Sequence, residues 1–98
     1  MTTNVTFTQQ ASQEWFKLPE GPLKADIRDK ITQIANGEDR GIERISKNTH
    51  QHIRITSIIE GDYEYPIIWT EEGHPVHISI KDIGTNPPTQ IAGFPYSI

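Results

Sequence analysis

The chain has 98 residues, of which 34% are apolar and 22% charged, and its 9 Lys+Arg against 13 Asp+Glu leave a net charge of −4. That length supports one domain around one modest core, and the absence of cysteine excludes disulfide frameworks, thiolate zinc sites and cysteine nucleophiles. The first residues lack the basic and apolar regions of an export signal, and no later run reaches the ~18 apolar residues of a membrane span, so a soluble cytoplasmic protein without membrane contact is expected.

Val5 and Phe7 alternate with Thr residues, which predicts a short strand over residues 4–8. Thr8 then reads as an N-cap for a helix over residues 9–18, whose apolar face is Ala11, Trp15 and Leu18 and whose end is set by Pro19. Pro22 suits the first position of a second helix over residues 22–36. Leu23, Ile27, Ile31 and Ile34 form its apolar stripe, and Asn36-Gly37 stops it.

Beyond Gly41 the period changes from 3.6 to 2 and Ile dominates, which predicts an antiparallel meander. A short strand over residues 42–46 is followed by one over residues 52–59, with Ile53 and Ile55 on one face and His52, Arg54 and Thr56 on the other. After the Glu60-Gly61-Asp62 turn, Tyr63, Tyr65, Ile67 and Trp69 share a face of the next strand. Pro66 cannot donate a ladder hydrogen bond, so that strand is expected at an edge or bulged. Glu71 and Glu72 read as turn residues, after which Val76, Ile78 and Ile80 alternate with His77, Ser79 and Lys81. Residues 84–98 hold 3 of the 7 prolines and 2 of the 7 glycines, which predicts one domain over residues 1–84 and a tail over 85–98. Ile91, Phe94, Tyr96 and Ile98 give that tail apolar anchors, so it is expected to dock on its own domain or on a partner.

Charge is uneven: residues 1–58 carry 8 basic and 7 acidic side chains, and residues 59–98 carry 1 basic and 6 acidic. Contact with nucleic acid therefore has to come from the first part. Arg40, Arg44, Lys47 and Arg54 form the basic run of the strand region. They can receive a phosphate or an acidic partner segment, or pair with Glu43, Glu60 or Glu64 on neighbouring strands. Tyr63, Tyr65 and Trp69 are candidates for base stacking or for the core, and Tyr63 is kept with the basic run as a binding candidate. His50 and His52 stand at i, i+2, with His74 and His77 near the next hairpin. No carboxylate is spaced to complete a metal set, so no metal is expected. Phosphate loops and the Gly-x-Ser-x-Gly and His-Glu-x-x-His motifs do not occur, and no nucleotide cofactor is expected.

The order of strand, two helices and meander resembles the RelE/ParE superfamily of bacterial toxin–antitoxin systems. The likeness covers residues 4–83. It rests on Phe7-Thr8-Gln9-Gln10-Ala11 leading to Lys17-Leu18-Pro19, on the Ile-striped second helix, on His52-Ile53-Arg54-Ile55, and above all on the hairpin from Gly61-Asp62-Tyr63 to Trp69. The resemblance implies a two-layer α+β fold, with two N-terminal helices on one face of a four- to five-stranded antiparallel sheet. Two functions are implied. One is a diverged member acting mainly by protein–protein binding, with a cognate antitoxin or another protein as partner. The other is ribosome-dependent cleavage of messenger RNA, with His50, His52 or Lys81 moving protons and Arg54 and Lys47 contacting phosphate. The family ordinarily has Arg after Gly-Asp-Tyr and a basic or His-containing end to its last strand. Here these are Glu64 and Lys81-Asp82-Ile83, which favours binding.

Overall fold

The computed structural model of the chain describes residues 3–45, 50–84 and 89–90. Strand β1 (Val5–Phe7) runs into helix α1 (Gln9–Lys17), which Thr8 caps: its hydroxyl accepts the Ala11 N–H at 3.2 Å. Leu18 is extended (φ −68°, ψ 129°), the conformation that steric conflict with Pro19 demands, and the helix stops there. Helix α2 (Pro22–Ala35) ends in a Schellman motif, in which Gly37 N–H bonds the Ile34 carbonyl at 3.1 Å and Glu38 N–H bonds that of Gln33 at 2.9 Å. Lys24 fastens the two helices together. Its buried ammonium lies 4.7 Å above the Trp15 ring and 3.3 Å from Glu20.

Four further strands form the meander: β2 (Ile42–Ile45), β3 (His52–Glu60), β4 (Tyr63–Glu72) and β5 (His77–Ile83). A two-residue strand, β6 (Thr89–Gln90), pairs with β4 at Tyr63 and Glu64. The spatial order is β1-β5-β4-β3-β2. The expected purely antiparallel sheet is corrected here, because β1 lies parallel to β5 with Val5 opposite Ile78 and Phe7 opposite Ile80. Period-2 alternation reports which face a side chain takes but carries no information on strand direction. Crossing from β1 through two helices lets the chain re-enter at the other edge of the sheet.

One face of the sheet receives the helices. Ala11, Ile27 and Ile34 pack there against Ile67, Trp69, Ile78, Ile80 and Ile83, with Trp15, Leu18, Leu23 and Ile31 partly buried around them. Each fully buried Ile contributes roughly 2 kcal/mol by leaving water, so this layer holds the two helices to the sheet. Ile53, Ile55 and Ile68 make a smaller cluster on the opposite face.

Pro66 is not at an edge, since β4 lies between β3 and β5. Its carbonyl accepts the Gly84 N–H, so its nitrogen also faces the β5 side. That nitrogen lies between the last β5 rung at Ile67 and the β6 rung at Glu64, where the described residues supply no ladder partner for an N–H. The bulge falls beyond it: Ile68 opposes Asp82 and Trp69 opposes Ile80, leaving Lys81 without an opposite residue. Val76, expected in a strand, lies in the turn before β5 and is exposed. Gly41 immediately precedes β2 at φ +60°, where a Cβ would stand 2.6 Å from the Ile55 carbonyl oxygen. The tail anchors Ile91, Phe94, Tyr96 and Ile98 lie outside the described residues, as does the expected strand residue Ser46.

Candidate functional site

The alternation of β3 sends His52, Arg54 and Thr56 toward the helix side, while β2 sets Glu43 directly opposite Arg54. Arg54 is therefore half-enclosed, with a side chain 21% exposed. Its Nη2 lies 3.2 Å from Glu43 Oε2, its Nε lies 3.0 Å from Glu71 Oε1, and its Nη1 donates to the Arg40 carbonyl at 3.0 Å. Glu43 also meets His52 Nδ1 at 3.2 Å, and Glu71 meets Arg40 at 3.6 Å. Two of the candidate catalytic residues, His52 and Arg54, thus come together, but through a carboxylate that lies between them. A phosphate arriving at Arg54 would meet Glu43 and Glu71 already in place, which opposes the accumulation of negative charge that phosphoryl chemistry requires.

The other candidates lie elsewhere. Lys81 reaches the opposite face of the sheet, where its ammonium is 3.1 Å from Glu72. The Thr70 hydroxyl donates to the same carboxylate and, with Lys81, holds Glu72 below the usual carboxylate range. Lys81 is thus separated from Arg54 by the thickness of the sheet. Tyr63 stands at the far end of β4, opposite Glu60 and exposed, six residues or roughly 20 Å along the strand from Trp69, which faces Arg54. Arg44 shares a face with Ile53 and bonds the Glu43 carbonyl through Nη1 at 2.9 Å, with no carboxylate partner among the described residues. His50 is exposed, at φ 57° just before β3. Lys47 lies outside the described residues.

Glu71 and Glu72, expected to be turn residues, close β4 and neutralise three of the candidate cations, Arg40, Arg54 and Lys81. Sequence reasoning also passed over Asp39 and Glu14. Burial pushes Asp39 up, but the Gly41 N–H at 2.8 Å, Lys30 at 3.1 Å and the Thr56 hydroxyl at 3.1 Å outweigh it and hold the carboxyl below its ordinary value. This anchors the α2–β2 connection to β3. Glu14 on α1 accepts the Ile83 N–H at 3.2 Å beside Asp82, which in turn accepts a hydrogen bond from Gln10. Burial, reinforced by the neighbouring Asp82, pushes Glu14 up to about 7 against the opposing pull of the Ile83 N–H and Lys17. For Glu71, Glu72 and Asp39 the signal available was an acid opposite a base across a strand or helix boundary, and for Glu14 a backbone N–H beside another acid; each requires the register.

A second feature lies at the sheet edge. The β2–β3 pairing stops at Ile42, opposite Ile55, while β3 continues through residues 56–60 with no strand on that side among the described residues. Ser57 opposes Pro66, whose polar backbone atoms face β5, so Ser57 and then Ile59 turn their own N–H and C=O groups outward to this edge. A groove of about 750 Å³ follows it, between Arg40, Arg44 and Ile42 on one side and Ile55, Ser57 and Glu64 on the other. Glu64 accepts the Ser57 hydroxyl at 2.7 Å. No helix among the described residues is long and apolar enough to cross a membrane, and those residues contain no group of three metal-ligating side chains. Comparison with family models, curated proteins and solved structures found no match.

Proposed function

We propose that the chain is a diverged RelE/ParE-like protein that acts mainly by binding another protein. The observation that carries this reading is the double neutralisation of Arg54 by Glu43 and Glu71, at 3.2 and 3.0 Å. A ribonuclease of this type needs cations free to stabilise a pentacovalent phosphate, and here Arg54, Arg40 and Lys81 are each paired with a carboxylate. Glu64, where the family ordinarily has Arg, adds to that balance. The progression from β1 through α1 and α2 to the meander supports the family reading, and the open β3 edge with its groove supplies a surface to which an extended segment can add. A cognate antitoxin and another target protein are the partners this reading admits.

The reading is tested by induced expression in bacterial cells, with growth and transcript cleavage measured for the wild-type chain and for Arg54→Ala. The expected result is no Arg54-dependent cleavage. Cleavage that disappears in Arg54→Ala establishes instead the messenger-RNA endoribonuclease, with His52 and Arg54 as its nearest pair of functional groups.

A further inference from the structure

The face of the sheet turned away from the helices is buried although no described element lies over it. Ile53 and Ile55 on β3, Pro66, Ile68 and Thr70 on β4, and Ser79 opposite Thr70 on β5 point to that face by alternation and register. Exposure falls to 9% at Ile53, 5% at Ile55, 4% at Ile68 and 1% at Thr70, and Pro66 is fully buried. Neighbouring strands shield the flanks of such side chains, but in an open single-layer sheet their tips stay in water. Both helices pack on the other side, in the main core. The cluster of Ile53, Ile55 and Ile68 contains no helix residue and gains no partly buried apolar neighbour among the described residues. At the margin of the same face the burial ends: Ile42 is 57% and Ile59 63% exposed. Something therefore covers the middle of this face and stops short of the β2 edge.

We propose that the cover is the C-terminal segment of the same chain, residues 91–98, lying across this face as a third layer. Composition selects it over the other stretches outside the described residues. Ser46-Lys47-Asn48-Thr49 and Thr85-Asn86-Pro87-Pro88 bring no large apolar side chain, whereas residues 91–98 bring Ile91, Phe94, Tyr96 and Ile98, the last three alternating at period 2. Met1-Thr2 lead into Thr3, whose N–H bonds the Ala35 carbonyl at the end of α2, on the helix side. Reach agrees with composition. Strand β6 sets Gln90 opposite Tyr63, at the hairpin end of β4. From there residues 91–98 span at most ~26 Å, and Ile68 stands roughly 17 Å along β4 from Tyr63. A reversal at Ala92-Gly93 lets Phe94–Ile98 run back over Pro66, Ile68 and Ile55 with its apolar side down. Pro95 suits a segment that lies on a sheet rather than in its ladder, since it has no N–H to donate. The β3 edge, Ile59 and the groove beside it stay open under this arrangement, so the inference does not rest on the protein-binding reading and leaves the surface used there free.

Because the chain has no cysteine, Ser97→Cys gives a single attachment point for a nitroxide between two of the anchors. In the labelled full chain, the NMR amide signals of Ile55, Ile68 and Thr70 are expected to lose most of their intensity, and those of Arg28 and Asp29, exposed on α2, to lose far less. Equal loss at the two sets, or none at the first, overturns the inference. When nitroxide-labelled chain without isotope is mixed with isotope-labelled wild type, the same signals are expected to stay sharp. Broadening in that mixture assigns the cover to a second copy and overturns the inference as well. The full-length double variant Phe94→Asp, Tyr96→Asp is expected to bind several-fold more anilinonaphthalene sulfonate than wild type and to unfold at lower urea, with its far-UV circular dichroism unchanged. Dye binding equal to wild type overturns the inference. Should the double variant fail to fold, the nitroxide comparison still decides, because that chain keeps all four apolar anchors.

Discussion

Glu71 and Arg54 face one another across neighbouring strands with 3.0 Å between carboxylate and guanidinium, and Glu71 holds Arg40 as well. Glu71 therefore decides how much positive charge this corner of the sheet presents. Glu71→Gln leaves a half-enclosed guanidinium with Glu43 as its remaining carboxylate, and the expected cost is about 1 kcal/mol, read as a lower urea midpoint at unchanged slope. The double variant Glu43→Gln, Glu71→Gln is expected to gain salt-dependent affinity for single-stranded RNA, measured by fluorescence anisotropy. Unchanged RNA affinity in the double variant would show that neutralisation of Arg54 is not what keeps nucleic acid away.

Glu14 gives the fold a pH dependence of definite sign. Its folded-state pKa is raised to about 7, from an ordinary value of 4.5. The folded chain therefore holds a proton more tightly than the unfolded one, and the contribution to stability is full below the unfolded pKa and declines as pH rises through the folded one. Burial, and after it Asp82, raises the value, while the Ile83 N–H and Lys17 lower it. Glu14→Gln keeps an oxygen for the Ile83 N–H but cannot ionise. Relative to wild type, the variant is expected to be more stable at about pH 8 than at about pH 5. Urea midpoints that shift equally at both values would remove Glu14 as the source.

Two glycines at positive φ separate backbone preference from steric contact. At Gly37, φ is +77° and an added Cβ meets nothing within 4 Å, so Gly37→Ala is expected to cost about 1 kcal/mol. At Gly41, φ is +60° and the Cβ would fall 2.6 Å from the Ile55 carbonyl oxygen and 2.7 Å from the Trp69 ring. Gly41→Ala therefore adds displacement of β2 to the dihedral strain, for about 3 kcal/mol in all. Thermal unfolding of the two variants side by side checks the difference, and equal losses would mean that β2 yields freely.

The helices were legible in the sequence because their signals are local. Thr8, Pro19, Pro22 and Asn36-Gly37 act on their own immediate backbone, and all four do in the structure what their chemistry dictates. The alternation of β3 and β4 was legible for the same reason. What could not be read were relations between strands. The parallel placement of β1, the interior position of Pro66 and the bulge at Lys81 depend on which strand lies beside which and in what register. The candidate site shows the same division: Arg54 and His52 were found as residue types on one face, and Glu43 was among the anticipated partners. Glu60 and Glu64 were anticipated as well, yet Glu64 binds Ser57, while Glu71 and Glu72 become ion-pair partners only once β4 is seen to run past Trp69.

The parallel rung of β1 on β5 also bears on how the chain acquires its structure during synthesis. Helices α1 and α2 emerge from the ribosome long before Ile67, Trp69, Ile78 and Ile80, the residues on which their apolar stripes come to rest. Until β5 has followed, Val5–Phe7 has no rung to join, and Ile27 and Ile34 have no sheet to cover them. Nascent chains stalled before His77 are therefore expected to be readily cleaved by protease within α2, and those stalled after β5 has cleared the exit tunnel to be resistant, because closure of a sheet between distant segments waits for the later of the two.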